Sequence, residues 1–135
     1  MYNLHMTHKI PEKKRFSIID RIKSSANAVR GIKIFMKSTH NAWLQMFFGL
    51  LAVYMGFILC ISSVEWVLLV LTIGLVILAE TINTAIEIDI NLTSPVYHPY
   101  ARDTKDVAAG AVLITIIMSI IIGIIIFVPK ILALI

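Results

Sequence analysis

The sequence predicts an all-α integral membrane protein: an N-terminal interfacial amphipathic helix followed by three transmembrane helices. Three observations lead there. Hydrophobic residues make up 59% of the 135 positions, and the mean hydropathy is +0.88, too apolar for an ordinary soluble domain of this length. The apolar excess falls in three segments, each long enough to cross a bilayer core as a helix, which takes roughly 20 residues at about 1.5 Å rise. Ahead of them, between residues 16 and 38, apolar residues recur at three- and four-residue steps.

Taken in order, residues 1–15 read as a basic flexible tail, and residues 16–135 as a single membrane domain. The first 41 residues hold nine Lys or Arg against Glu12 and Asp20, a local balance of +7, whereas the remainder carries −3. Such a start does not resemble a cleavable signal peptide, so the mature chain is expected to begin at Met1. Clustered cations beside the first span hold that end on the cytoplasmic side and against anionic lipid. A tail leading straight into a membrane span argues against nucleic acid as its partner. From Phe16 onward Ile18, Ile19, Ile22, Ala26, Val29 and then Ile32 or Phe35 and Met36 form an apolar stripe, and Asp20, Lys23, Asn27, Arg30 and Lys37 fall largely elsewhere. That pattern fits a helix over about 16–38 lying in the interface.

The spans are expected at about 42–61, 66–90 and 106–130. In the first, Gln45 is the only strongly polar residue. Trp43 and Trp66 sit at opposite ends of the first two spans, as interfacial anchors do. Residues 61–65 make a short connector. "NLTSPVYHPYARDTKD", Asn91 to Asp106, reads as a loop leading into a helix start. His98 is expected to be structural, and Gly110 within "AAGAV" to serve close helix packing. Cys60 is the only cysteine, expected as a buried, inert thiol, and it rules out an internal disulfide or a CxxC site.

The chemistry concentrates in "AETINTAIEIDINL", Ala79 to Leu92. Helical spacing puts Glu80, Asn83, Thr84, Glu87 and Asn91 on one face, with Asp89 about 200° round from Glu87. A charge at mid-bilayer costs on the order of 2.5–3.5 kcal/mol, so these carboxylates must face protein, water or a cation, or else mark the interfacial end of the span. Lys105 and Asp106 open the next span at the same level. The set contains the parts of phosphoryl transfer: a carboxylate to take a hydroxyl proton, oxygen ligands for Mg²⁺, and a cation against phosphate. No GxxxxGK[ST] or GxGxxG motif occurs. A small proton-coupled transporter is the competing use of membrane carboxylates.

"AETINTAIE" and "HPYARDTKDVAAGAVL" resemble the two signature blocks of the prokaryotic diacylglycerol kinase family, and "GIIIFVPKIL" resembles its undecaprenol-phosphorylating branch. The resemblance covers about residues 16–132. It implies a homotrimer in the bacterial inner membrane, with active sites at subunit boundaries near the cytoplasmic face. ATP would be the co-substrate, Mg²⁺ the cofactor, and the acceptor a membrane lipid alcohol, undecaprenol or diacylglycerol. By the same resemblance Glu80 is the general base with Asn83 beside it, Glu87 a metal ligand, and Lys105 and Asp106 nucleotide contacts.

Two positions depart from the family. Thr39 stands eight residues after Gly31 where a second metal-binding Glu is usual, and Asn91 stands where the nucleotide site has an Asp. Thr39 then offers only a neutral oxygen to the metal and Asn91 only an amide to the nucleotide, which predicts weaker metal or nucleotide binding. The departures also keep open a weakened kinase homologue acting as an oligomeric scaffold.

Overall fold

The computed structural model describes residues 17–134; the basic tail at 1–15 lies outside the described residues. Four helices follow one another: α1 Ile18–Ser38, α2 His40–Ile58, α3 Ser63–Thr93 and α4 Pro99–Leu132. The last three are long and apolar enough to cross a membrane. At about 1.5 Å per residue, α3 with its 31 residues and α4 with its 34 run to roughly 46 and 51 Å, well beyond a hydrocarbon core of about 30 Å. The surplus exceeds what the core takes up, and Asn91 and Lys105 lie towards the end of α3 and the start of α4.

Each helix start has a local cause. The Ser17 hydroxyl accepts the Asp20 amide at 3.3 Å and caps α1. Thr39, extended at φ −135°, ends α1 and caps α2 by accepting the Asn41 amide at 3.2 Å. Ser62 and Glu65 form a capping box at the start of α3, in which the Ser62 amide donates to Glu65 Oε2 at 2.6 Å. α4 opens with Pro99 in its first turn, where the missing N–H costs nothing. The long loop expected over 91–106 is correspondingly shorter. α3 continues to Thr93 and stops because Ser94 precedes a proline, which disfavours helical backbone. His98 is the residue before the first turn of α4, with its ring 5.7 Å from that of Tyr100.

The α2–α3 turn corrects the expectation for Cys60. Ile61 donates its amide to Gly56 O at 3.1 Å and Cys60 to Phe57 O at 3.3 Å, the paired bonds of a Schellman motif. That motif demands a left-handed residue, and Cys60 supplies it with φ 47°. Its side chain is thereby turned outward, and the thiol is exposed rather than buried. Ile61 instead turns inward and, with Leu69 and Ile126, forms the apolar core at this end. Lys130 reaches Glu65 there at 3.1 Å, tying the end of α4 to the start of α3.

α3 and α4 share the most extensive contact, and α1 touches the body lightly. Trp43 Nε1 donates to Met36 O at 3.0 Å, fixing the α1–α2 corner. Gly110 does not serve contact within the chain, since a Cβ added there would meet nothing within 4 Å. Ala108 and Val112, one turn apart, are the buried residues of that stretch, and Gly110 lies about 200° round from Ala108.

Candidate functional site

Along α3 the buried residues change character. Leu69 belongs to the apolar core, whereas Thr72, Glu80, Asn83 and Thr84 are polar and buried. Glu80 is 2% exposed. Its carboxylate is held by two neutral donors: the Thr39 hydroxyl reaches Oε1 at 3.3 Å and the Gln45 amide reaches Oε2 at 3.2 Å. A buried carboxylate held this way is costly, because neutral donors offset only part of the lost hydration.

Asn83, one turn on, donates through Nδ2 to Glu87 Oε1 at 3.2 Å. Its own Oδ1 is buried without a partner, and so is Gln45 Oε1. Thr84 shares the face but gives its hydroxyl to Glu80 O at 2.8 Å, which leaves it no donor for the site. Towards the end of α3 and the start of α4, Lys105 Nζ donates to Asn91 Oδ1 at 2.7 Å, linking α4 to α3. Asp106 turns to its own helix, 3.5 Å from Arg102, with both side chains 68% exposed.

Within one chain, then, the predicted residues fall into three groups: Thr39 with Glu80, Asn83 with Glu87, and Asn91 with Lys105. Asp106 stands apart. An open groove of about 620 Å³ between α3 and α4 passes Asn83 and is walled by Ala79, Tyr100, Asp103, Thr104 and Ala108. Gln45 is the residue sequence reasoning left without a role. The available signal was its standing as the lone amide of an apolar span, but which residue it meets on α3 depends on how α2 is rotated.

Among the described residues no three His, Cys, Asp or Glu side chains cluster as metal ligands. The donor set nevertheless suits Mg²⁺. That ion is typically bound by one or two carboxylates together with substrate phosphates, rather than by an all-protein cage. Glu87 supplies a carboxylate, and the unpartnered Asn83 Oδ1 supplies a hard oxygen beside it.

The family model described as prokaryotic diacylglycerol kinase matches residues 26–127. Undecaprenol kinase of Bacillus subtilis is 37% identical over 108 residues, covering 80% of this chain and 88% of the relative. Diacylglycerol kinase of Synechocystis is 32% identical over 77% of this chain and 60% of the relative. Diacylglycerol kinase of Escherichia coli K12 is 36% identical over 53% of this chain and 59% of the relative.

Proposed function

We propose that this chain, which belongs to the prokaryotic diacylglycerol kinase family and is a lipid kinase, transfers the γ-phosphate of ATP to the hydroxyl of undecaprenol, with diacylglycerol as the second acceptor. The observation that carries the reading is Glu80: a carboxylate 2% exposed, oriented through both oxygens, at the start of a polar helix face. A carboxylate has about four lone-pair positions, so after taking one donor on each oxygen it retains sites for a proton.

In the reaction the acceptor's O–H bond breaks and its proton passes to Glu80. The alcohol oxygen bonds to the γ-phosphorus, and the β–γ bridging oxygen leaves with its electron pair on ADP. Thr39 and Gln45 hold the base in place through this step. Glu87 and Asn83 Oδ1 would hold Mg²⁺, with Thr39, which within one chain meets Glu80, as a further neutral oxygen; the ion would neutralise charge on the phosphate oxygens. Lys105 adds positive charge at the level where phosphates enter, and Asn91 orients it. Asp106, exposed and beside Arg102 in this chain, would contact the nucleotide.

The working unit is a homotrimer in the inner membrane with the N-terminus cytoplasmic. The open groove beside Asn83 supports a site completed by a neighbouring copy, and the basic residues of α1 support the orientation. The similarity to the Bacillus subtilis enzyme supports undecaprenol over diacylglycerol. It also weighs against a proton-coupled transporter and a non-catalytic scaffold. The test is purified full-length protein given ATP and Mg²⁺ with undecaprenol or diacylglycerol, following labelled phosphate on each lipid. Transfer to undecaprenol that disappears in Glu80→Gln is the expected result. Full transfer by Glu80→Gln would remove Glu80 as base, and no transfer to either lipid would end the proposal.

A further inference from the structure

We infer that the cationic flank of α1 seats on anionic lipid and that this seating is passed to Glu80 through Thr39, so that the charge of the surrounding bilayer sets the rate of transfer. The inference rests on the kinase reading above and adds a regulator to the same site.

α1 needs a partner outside its own chain. Every residue from Ile18 to Ile34 is exposed, and Phe35 is the one buried side chain of the helix. Ile18, Ile22, Val29 and Ile32 share a face by helical spacing, yet they stay 53–67% exposed. Lys23, Arg30, Lys33 and Lys37 line one flank of that face, centred roughly 155° round from Phe35 and so turned away from the body. An apolar face edged with cations is what a helix lying among lipid headgroups presents. A second copy of the chain does not answer this row: outside the site and the ion pairs already named, the described acids are Asp20, Asp89 and Asp103, one on each of three helices. Each cation beside an anionic surface strengthens attachment roughly fivefold, so the four together prefer an anionic to a neutral leaflet by on the order of several hundredfold.

The corner after α1 carries its position to the carboxylate. α1 ends at Ser38 and α2 begins at His40, so Thr39 is the whole connector. Trp43 Nε1, bonded to Met36 O at 3.0 Å, ties the last turn of α1 to the first turn of α2. Between them the Thr39 hydroxyl donates to Glu80 Oε1 at 3.3 Å. That is already long for a hydroxyl donor, and a displacement of about half an ångström breaks it. With α1 seated, Glu80 is held through both oxygens; with α1 unseated, it keeps only the Gln45 amide.

The experiment uses full-length protein with ATP, Mg²⁺ and the lipid alcohol, in vesicles of phosphatidylcholine alone or of phosphatidylcholine mixed with phosphatidylglycerol. The readout is kcat at saturating ATP, because an anionic surface repels ATP and acts on KM in the opposite direction. A hydrogen bond to a charged group is worth roughly 10- to 100-fold in rate, and a helix seated part of the time shows part of it. kcat should therefore be about fivefold or more higher in the anionic vesicles, and high salt should shrink that advantage. Arg30→Gln/Lys33→Gln leaves the other basic residues ahead of the first span to keep the topology, and should cut the advantage to about twofold or less. Thr39→Val should lower kcat in both vesicles and bring their ratio close to one, whereas Thr39→Ser should keep the response.

Seating is measured separately, by an environment-sensitive fluorophore on Val29→Cys in a Cys60→Ser background. Its emission should shift to the blue in anionic vesicles, equally with Thr39→Val and less with Arg30→Gln/Lys33→Gln. Equal kcat in the two vesicles, equal emission in them, or a full anionic advantage in Thr39→Val overturns the inference while leaving the kinase reading in place. Absence of transfer in both vesicles sinks the kinase reading, and the coupling to Glu80 falls with it.

Discussion

Replacing Thr39 with valine removes a single hydroxyl that does two jobs. It accepts the Asn41 amide at 3.2 Å as the cap of α2, and it donates to Glu80 Oε1 at 3.3 Å. Losing a cap costs about 1 kcal/mol, and losing a hydrogen bond to a charged group costs about 1.5–3 kcal/mol. Glu80 is 2% exposed, so water does not readily replace the lost donor, although the 3.3 Å separation keeps the second contribution towards its lower end. The sum is a destabilisation of about 2–4 kcal/mol. Thr39→Ser keeps both contacts and should stay within about 0.5 kcal/mol of wild type. Equilibrium unfolding in mixed micelles measures this. Trp43, bonded to Met36 O at the same corner, serves as a fluorescent reporter. A Thr39→Val/Glu80→Gln double-mutant cycle should return a coupling of about 1 kcal/mol or more. Thr39→Val unfolding together with Thr39→Ser, or a coupling near zero, would refute the claim that this hydroxyl supports the buried carboxylate.

Restoring the family acid with Thr39→Glu sets a second carboxylate against Glu80. The variant should be less stable than wild type in chelator by about 1–3 kcal/mol, and Mg²⁺ should raise its melting temperature more than it raises that of wild type; equal shifts would count against metal binding here. Asn91→Asp gives Lys105 a charged partner in an exposed pair, so stability should move by less than about 1 kcal/mol while KM for ATP changes; an unaltered ATP dependence would detach Asn91 from the nucleotide. Glu65→Ala removes the capping box and the Lys130 pair far from the site. It should lower the unfolding midpoint with kcat intact, and a lost kcat would mean that this end communicates with the chemistry. Cys60→Gly relieves a left-handed residue at φ 47° and should stabilise the chain by up to about 1 kcal/mol, as read from the unfolding midpoint.

Much of this architecture is legible from patterns that stay within one helix. The three apolar runs locate α2, α3 and α4 because hydrocarbon tolerates few other sequences. The spacing of Glu80, Asn83, Glu87 and Asn91 gives their common face because helical periodicity alone decides it. The ends of α3 and α4 were harder to read: polarity between Asn91 and Asp106 resembles a loop, yet helices longer than the bilayer core carry polar turns into the interface. The outward Cys60 was likewise hidden, since a Schellman turn usually announces itself with glycine.

By itself the sequence determined a membrane-embedded helical kinase fold, and it marked Glu80, Asn83, Glu87, Asn91 and Lys105 as the polar residues that have to be used. Only the tertiary structure decided who meets whom. Thr39 and Gln45 hold Glu80 across helices, Lys105 meets Asn91, and Asp106 turns to Arg102. The reason is that periodicity fixes the angle of a side chain about its own axis, whereas contacts between helices depend on the rotation and offset of a partner, which side-chain interlock sets along the whole interface.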